Sequence, residues 1–337
     1  MILAGGLSTR LYPLTKLVPK PLVPVAGIPN AAHLLHYLRA YGFDEIAINV
    51  HYLADAIVET LGDGSRFGVR LHYSYEPELL GSAGGVKKLE RFFADEPFLV
   101  IGCDEVTDLR LDRLQAFHRD RNALATIGLV QCDEVEQYGV VVLDDRAKIV
   151  GFQEKPAKGT EKSKLANTGV YFFSPAIFEQ IPADVFYDFG KQVFPALQSA
   201  GMPFYGFDAR GAYWADIGTP NEYRRASFDV VRGVVQIPHT HPNGVDASAR
   251  IAAGARIEGP VRIGASTRIG ENVSIVGPSV IDDGVRIERG ARIERTICWQ
   301  DATIGAEAQL CDTVVGREYA VPAAAVLNGA LVARDDV

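Results

Sequence analysis

Residues 245–293 read VDASAR IAAGAR IEGPVR IGASTR IGENVS IVGPSV IDDGVR IERGAR I. Val245, Ile251, Ile257, Ile263, Ile269, Ile275, Ile281, Ile287 and Ile293 fall six apart without a miss. Four residues after most of them stands a small or β-branched residue: Ala255, Val261, Thr267, Val273, Ser279, Val285, Ala291 and Ile297. Gly264, Gly270, Asp282 and Glu288 directly follow aliphatic positions. A period of six fits neither a helix, at 3.6 residues per turn, nor one flat strand, at two. It fits a coil whose sides are short strands, each with one inward anchor. The phase slips after Ile297, and Ile304 and Leu310 resume it loosely. The alanine-rich stretch 320–333 reads as a terminal cap.

Upstream the period changes. Residues 46–50 and 98–101 read as buried strands. Residues 30–41 read as a helix with Asn30 at its N-cap and Leu34, Leu35 and Leu38 on one face. Strands alternating with helices predict an α/β domain, a βαβ sheet with helices on both faces. Residues 236–244, QIPHTHPNG, are polar and rich in Pro and Gly, as a linker is. The expected division is a domain over 1–232, a linker over 233–244 and a repeat domain over 245–337. Lysine stops at Lys191, a compositional shift in the same sense.

The whole-chain numbers agree. A length of 337 residues suits two domains, and 47% hydrophobic with 23% charged residues suits a folded protein. The net charge, 34 − 42 = −8, argues against a nucleic-acid partner. Any phosphate binding must come from a few placed cations. Cys103, Cys132, Cys298 and Cys311 show no C-x-x-C spacing, so neither a disulfide framework nor a zinc site is expected. The uncharged run 22–38 contains Pro24, Pro29 and Asn30 and cannot span a membrane. No signal-peptide pattern precedes it, and the cytoplasm is the expected location, with no membrane partner. His239 and His241, an H-x-H pair in the linker, read as solvated rather than metal-bound.

The repeat resembles the hexapeptide-repeat, left-handed parallel β-helix family; the hand comes from that resemblance. In that repeat type eighteen residues close one three-sided coil. Arg250, Arg268 and Arg286 would then stack in a column at strand spacing, ~4.8 Å. Neighbouring acids are the ordinary counter-charge for such a column, a subunit contact or an anion site the alternative. Many acyltransferases share this repeat but work through a histidine base, and residues 245–337 contain no histidine. An assembly or regulatory module is therefore expected, in a homo-oligomer.

The start of the chain carries the chemistry. Leu3-Ala4-Gly5-Gly6-Leu7-Ser8-Thr9-Arg10-Leu11 is followed by Pro19-Lys20-Pro21-Leu22-Val23-Pro24-Val25. Small residues let backbone N–H groups converge on a phosphate, and Arg10 and Lys20 add charge to hold a polyphosphate. The P-loop and dinucleotide-binding patterns are absent. The run resembles the signature of the sugar-phosphate nucleotidyltransferases, or nucleotide-sugar pyrophosphorylases. Further motifs follow in the family's order. Leu79-Leu80-Gly81-Ser82-Ala83-Gly84-Gly85 looks like the base-binding loop, and Gly102-Cys103-Asp104 like the metal-binding strand end. Tyr138-Gly139-Val140-Val141, Glu154-Lys155-Pro156 and Asn167-Thr168-Gly169 look like the sugar-phosphate site. Trp214-Ala215-Asp216-Ile217-Gly218-Thr219-Pro220 looks like the second metal motif. A C-terminal β-helix is a known arrangement in the family. Three departures stand out. Ser8 replaces the usual glycine and makes positive φ less favourable. Cys103 interrupts the usual wording before the aspartate. Only Met1 and Ile2 precede Leu3, which shortens the first strand and leaves room for a native start upstream.

The resemblance implies a Rossmann-like nucleotidyltransferase domain with a mixed, mainly parallel sheet. It also implies a reaction that joins a sugar 1-phosphate to the α-phosphorus of a nucleoside triphosphate and releases pyrophosphate. The attacking phosphate is already an anion at pH 7, so no Ser, Cys or His nucleophile is needed. Positioning and electrostatics do most of the work. The implied Mg²⁺ is a hard cation that takes carboxylates, and Asp104 and Asp216 are its candidate ligands, with Glu105 and Asp108 close in sequence. The implied catalytic residues are Arg10, Lys20, Asp104 and Lys155. Arg10 and Lys20 would hold the triphosphate, and Lys155 the sugar phosphate. Implied nucleotide contacts are Leu3, Ala4, Gly5, Gly6, Ser8, Thr9, Arg10, Glu76, Gly81, Ser82 and Gly102. Implied sugar-phosphate contacts are Gly139, Glu154, Lys155, Asn167 and Thr168.

A hairpin over 140–143 and 148–153, turning near Arg146, would set Gly139 across from Gln153, beside Glu154. Side chains alternate along a strand, so Glu154 and Lys155 face one ligand only if the chain bends before Pro156. Glu76 stands five residues before Gly81, about where relatives place a base-reading side chain. A carboxylate accepts two hydrogen bonds, matching N1–H and N2–H₂ of guanine; uracil and thymine offer one such donor and adenine only its amino group. Asp188-Phe189-Gly190-Lys191 and the 79–85 loop resemble mannose-1-phosphate guanylyltransferases, from which mannose is carried over. The expectation is therefore GDP-mannose from GTP and mannose 1-phosphate. Thymidylyl, uridylyl or adenylyl transfer to glucose 1-phosphate is the alternative. A non-catalytic nucleotide-sugar-sensing subunit is the reading from another class.

Overall fold

The computed structural model describes residues 1–93, 96–235 and 243–334; His239, His241 and most of the expected linker lie outside them. The chain folds into two compact units. One holds Met1–Gly6 and Tyr37–Trp214, the other Leu7–His36 and Ala215–Val337.

The first unit is built on a mixed sheet. Its strands run in the order Ile149–Glu154, Gly139–Leu143, Leu165–Phe173, Phe98–Gly102, Ile2–Leu3, Glu45–Val50, Arg70–Tyr75. The short first strand sits in the middle: Ile2 pairs in parallel with Ile48 on one side and Ile101 on the other. Glu45–Val50 pairs in parallel with Arg70–Tyr75, and Leu165–Phe173 runs antiparallel to Phe98–Gly102. Both expected strands are present, and the helix expected over 30–41 is Asn30–Ala40. Ile46, Ile48, Val100 and Ile101 are buried, as near-continuous apolar runs in parallel strands should be. The core is aromatic: Phe93 stacks on Phe98 at 4.1 Å, Phe173 on Phe189 at 4.9 Å and Phe194 on Phe204 at 5.2 Å. Each such ring contributes about 1.5–3 kcal/mol of burial.

The expected hairpin forms, with one correction. Ile149 pairs with Leu143, but Gly151 pairs with Val142, so a bulge at Val150 shifts the register. Glu154, not Gln153, therefore lies opposite Gly139. A bulge adds one residue to one strand only, and symmetric counting from the turn misses it.

In the second unit the repeat forms three parallel sheets, with the strand architecture of a left-handed β-helix. Each anchor stacks on the anchor one coil away: Ile257 on Ile275 on Ile293 on Leu310, and Ile251 on Ile269 on Ile287 on Ile304. Eighteen residues separate these partners until Ile281 pairs with Cys298, Ile287 with Ile304 and Ile293 with Leu310, seventeen apart. One residue is missing before Ile297, which turns Ile297 outward and Cys298 inward. That is the phase slip. The stretch over 320–333, expected as a cap, is the last coil, its strands pairing in parallel with the preceding one. Outward Val280, Ile297 and Val314 on one face are also buried, and the helix Pro220–Arg232 packs on that face.

Among the described residues no helix is long and apolar enough to cross a membrane. All four cysteines are free thiols, in line with their spacing.

Candidate active site

In parallel α/β sheets ligands bind at the carboxyl ends of the strands. In the first unit those ends hold the glycine-rich start, Asn49, Glu76 and Gly102. The Ala4 N–H donates to Asn49 Oδ1 at 2.8 Å. Asn49 Nδ2 donates to Glu76 Oε1 at 2.9 Å, and the Leu80 N–H donates to Glu76 Oε2 at 3.2 Å. A Cβ on Gly5 would lie 3.0 Å from Asn49 Nδ2, and one on Gly85 only 2.6 Å from Glu76 Oε1. Two expected nucleotide loops thus close on one buried carboxylate. Glu76 is 3% exposed. It is therefore not solvent-facing, and both its oxygens already accept protein donors. The geometry makes it a brace for the loops and removes the ground for a free two-acceptor edge that selects guanine. Asn49 was not singled out from sequence. Its signal is a polar side chain at the end of an otherwise apolar strand.

Gly81 has φ +75° and lies against the Tyr187 carbonyl, where a Cβ would come within 2.5 Å. Ser82 Oγ donates to Asp188 Oδ2 at 2.8 Å and accepts from the Phe189 N–H at 2.9 Å. The Ser82 hydroxyl thus ties the loop to Asp188 and Phe189.

At the next strand end, a Cβ on Gly102 would lie 2.8 Å from Asp104 Oδ1 and 2.9 Å from Glu105 Oε1. Asp104 therefore sits where expected, with Glu105 beside it. Glu105 is buried; its Oε2 accepts from Trp214 Nε1 at 2.6 Å, and the same N–H reaches the Thr168 carbonyl at 2.9 Å. Gly169, at φ +72°, leaves the space that Glu105 Oε1 occupies. Thr168 is fully buried, and its hydroxyl donates to the Gly128 carbonyl at 2.7 Å. The Thr168 side chain is thus engaged within the fold. Asn167 likewise spends its amide on Tyr171 Oη and on the Gly169 N–H.

Glu154 is exposed along its length, but its carboxylate end lies between two glycines. A Cβ on Gly190 would come within 2.8 Å of Oε2, and one on Gly139 within 3.3 Å. Burial of that end pushes its pKa up, Lys155 pulls it down, Asp188 raises it and Lys191 lowers it. Lys155 has φ +46°, so the chain bends at the residue where a bend was required. Its N–H donates to the Tyr138 carbonyl at 3.1 Å.

In the second unit the opening segment gathers two of its cations around the second aspartate. Lys20 Nζ lies 3.7 Å from Asp216 Oδ1, and both side chains are largely buried. A Cβ on Gly218 would fall 2.6 Å from Arg10 Nη2 and 2.6 Å from Asp216 Oδ1, so that glycine keeps the space both groups face. Ser8 adopts φ +54°, the left-handed conformation its family departure made costly, and its carbonyl accepts from Thr15 Oγ1 at 2.7 Å. Thr219 caps the helix Pro220–Arg232 by accepting from the Glu222 N–H, with Pro220 at the first helical position, so the motif ends in a firm helix start.

Asp104 and Asp216 offer hard oxygen donors, each over a glycine without a Cβ, which suits Mg²⁺. Among the described residues no group of three or more metal-ligating side chains occurs. The protein would supply one or two carboxylates and leave the other positions to phosphate and water, the usual arrangement for Mg²⁺.

The first unit is an α/β sheet with carboxylates at its strand ends, and the second joins two cations and a carboxylate to a β-helix. Residues 1–232 match the model of the nucleotidyl transferase family, and residues 240–337 match the GMPPB C-terminal domain. The chain belongs to the nucleotidyl transferase family and is a sugar-1-phosphate nucleotidyltransferase. It is 40% identical to a Synechocystis UTP–glucose-1-phosphate uridylyltransferase, over 95% of this chain and 88% of the relative. It is 33% identical to the mannose-1-phosphate guanylyltransferase of Mycobacterium tuberculosis, over 88% and 82% of the two chains. It is 34% identical to a Gibberella zeae mannose-1-phosphate guanyltransferase, over 98% and 94%. Among solved structures, HddC from Yersinia pseudotuberculosis superposes with a TM-score of 0.59 at 30% identity, covering 67% of this chain and 96% of that one.

Proposed function

We propose that the protein transfers guanylyl from GTP to mannose 1-phosphate, giving GDP-mannose and pyrophosphate. Mannose-specific relatives align along nearly the whole chain, including the repeat region. The observation that carries the reading is the cluster of Arg10, Lys20 and Asp216 over Gly218: two cations and a carboxylate facing one small space. A second reading, uridylyl transfer to glucose 1-phosphate, is favoured by the Synechocystis relative and by the loss of Glu76 as a free guanine-reading edge.

In either case an oxygen of the sugar phosphate attacks the α-phosphorus, the bond to the β-phosphate oxygen breaks, and pyrophosphate leaves. Arg10 and Lys20 hold the triphosphate and take up the negative charge that builds on the leaving group. Lys155 holds the attacking phosphate, and Glu154 accepts hydrogen bonds from hydroxyls of the sugar. Asn49 and Glu76 keep the glycine-rich start in a shape where backbone N–H groups meet phosphate oxygens. Asp104 and Asp216 would hold Mg²⁺, which when bound neutralises phosphate charge. Residues 1–232 would form the catalytic domain and 245–337 an assembly domain of a cytoplasmic homo-oligomer.

The test is pyrophosphate release over four nucleoside triphosphates against mannose and glucose 1-phosphates, with Mg²⁺. GTP with mannose 1-phosphate should be fastest; UTP with glucose 1-phosphate fastest would install the second reading. No turnover with any pair would leave the non-catalytic sensor. Arg10→Ala should lower kcat by roughly 10²–10³. Asp104→Asn should abolish metal-dependent turnover while folding normally.

A further inference from the structure

The arginines before the anchors are distributed unevenly over the faces of the β-helix. On one face Arg250 pairs in register with Arg268, and Arg268 with Arg286, before Thr303 and Ala320 continue the column. On a second face Arg256 and Arg292 are separated by Ser274. On the third, Arg262 is followed by Val280 and Ile297. Three consecutive guanidinium groups, one strand spacing of ~4.8 Å apart, therefore occur on one face only.

All three arginines are exposed, and among the described residues none forms an ion pair or a side-chain hydrogen bond. Arg295 differs, being held by Asp312 and Glu294. The expectation that neighbouring acids neutralise the column is thus not met. The face is open and shallow. A groove of ≈ 450 Å³ runs along the column, and Glu288 is the one acid lining it. Beside Arg250 and Arg268 stand Ala252, with only a methyl, and Gly270, with no side chain. Like charges stacked at this spacing repel, and the chain as a whole is acid-rich, so the stripe is a local exception to its charge.

We propose that this groove is a binding site for a linear oligophosphate, a chain of phosphoryl groups laid along the coil axis and gripped by Arg250, Arg268 and Arg286. Guanidinium forks match phosphate oxygens two at a time, which a point charge does not. The outer two arginines lie two strand spacings apart, about 10 Å. A single phosphate reaches at most two of them, while a chain of several phosphoryl groups reaches all three. Affinity therefore rises with chain length. The proposal does not rest on which nucleotide or sugar the enzyme uses.

The experiment is calorimetric titration of the full-length protein with orthophosphate, pyrophosphate, tripolyphosphate and longer inorganic polyphosphate. Catalytic-site binding is separated by comparing wild type, Arg268→Ala and Arg10→Ala. The expected result is a length-dependent site, retained in Arg10→Ala and weakened at least tenfold in Arg268→Ala, whose turnover equals wild type. Arg268→Lys should recover only part of the affinity. Equal binding by wild type and Arg268→Ala overturns the proposal, as does loss of all binding in Arg10→Ala. Sedimentation of the same variants covers the other occupant. If Arg268→Ala changes oligomer size without changing oligophosphate affinity, the column is a subunit contact and the proposal fails.

Discussion

Two non-glycine residues in the candidate site sit at positive φ, Ser8 at +54° and Lys155 at +46°. Each left-handed residue costs about 1–2 kcal/mol, and such strain concentrates where geometry serves function. Among the described residues the Ser8 hydroxyl is buried without a hydrogen-bond partner, so it contributes no compensating bond. Ser8→Gly should therefore stabilise the fold by about 0.5–1 kcal/mol, the relief of φ less the freedom glycine adds to the unfolded chain. If the hydroxyl is kept for the triphosphate, the same variant raises KM for the nucleotide severalfold. Urea unfolding and steady-state kinetics on one preparation read both effects. Gly218→Ala is the complementary test. Its methyl would fall 2.6 Å from both Arg10 Nη2 and Asp216 Oδ1. Turnover should fall by roughly 10²-fold with the circular dichroism spectrum unchanged, because charged groups displaced by an ångström lose most of their effect. Full activity would show that the cation cluster is not the phosphate site. Ser8, Gly218 and Glu76 stood in stretches readable from the chain, whereas Asn49 did not. An amide that braces a buried carboxylate leaves no periodic trace; it shows only once the strands that carry the two lie side by side.

At the scale of elements, the repeat was legible because each side of the coil is too short to allow another arrangement. One anchor per six residues, with Gly, Asp or Asn nearby for the corner, specifies side, direction and spacing together. What the rhythm concealed was which face is covered. The sign was the outward column that changes from Arg262 to Val280, Ile297 and Val314, these three buried, with the helix Pro220–Arg232 packed against the strand that carries Val280. In the same way, the bulge at Val150 moved the hairpin over 139–154 by one residue, a local event that symmetric counting cannot register. The corners carry their own strain. Asn272, Asp301, Glu307, Glu318 and Ala324 all turn at φ between +55° and +59°. Some of these are compensated by position: Asn272, Asp301 and Glu307 fold their side chains over Gly254, Gly284 and Gly290 of the preceding coil. Ala324 has only a methyl, which makes no such contact, and it keeps the penalty. Ala324→Gly should raise the unfolding free energy of the repeat by about 0.5–1 kcal/mol, read from the urea midpoint. A lower midpoint would mean that glycine's added unfolded-state freedom outweighs the relief.

For the whole molecule, the units do not follow chain order. Leu7–His36 joins the repeat and Met1–Gly6 joins the sheet, an arrangement no local pattern announces because it depends on contacts far apart in sequence. Within the second unit that segment brings a histidine and a carboxylate of opposite titration to one region. A Cβ on Gly27 would lie 2.5 Å from Arg262 Nε and 2.9 Å from Asp282 Oδ1. His33 Nε2 donates to the Val25 carbonyl at 2.9 Å, and burial lowers its pKa to about 4. Burial raises that of Asp282 to about 6, with Asp283 adding to the rise and its N–H and Arg262 opposing it. The signs are opposite. A histidine held neutral in the fold contributes stability that is complete above its unfolded pKa near 6.5 and is lost as pH falls toward 4. A carboxylate whose folded pKa is raised favours the fold when protonated, so stability grows as pH falls from about 6 toward 3.8. Between pH 6 and 4 the two slopes cancel, and this unit should show little net response from them. Asp282→Asn removes one slope and leaves the other. The variant should then lose stability on acidification from pH 6 to 4.5 more steeply than the parent, by up to about 1.4 kcal/mol per pH unit. Each unit has one tryptophan, Trp214 in the first and Trp299 in the second, where its Nε1 donates to Tyr223 Oη at 2.8 Å. In a Trp214→Phe background, fluorescence-detected urea unfolding therefore reports on the second unit. Equal slopes with and without Asp282 would mean that the carboxylate is ionised in the fold at pH 5, and the compensation would not exist.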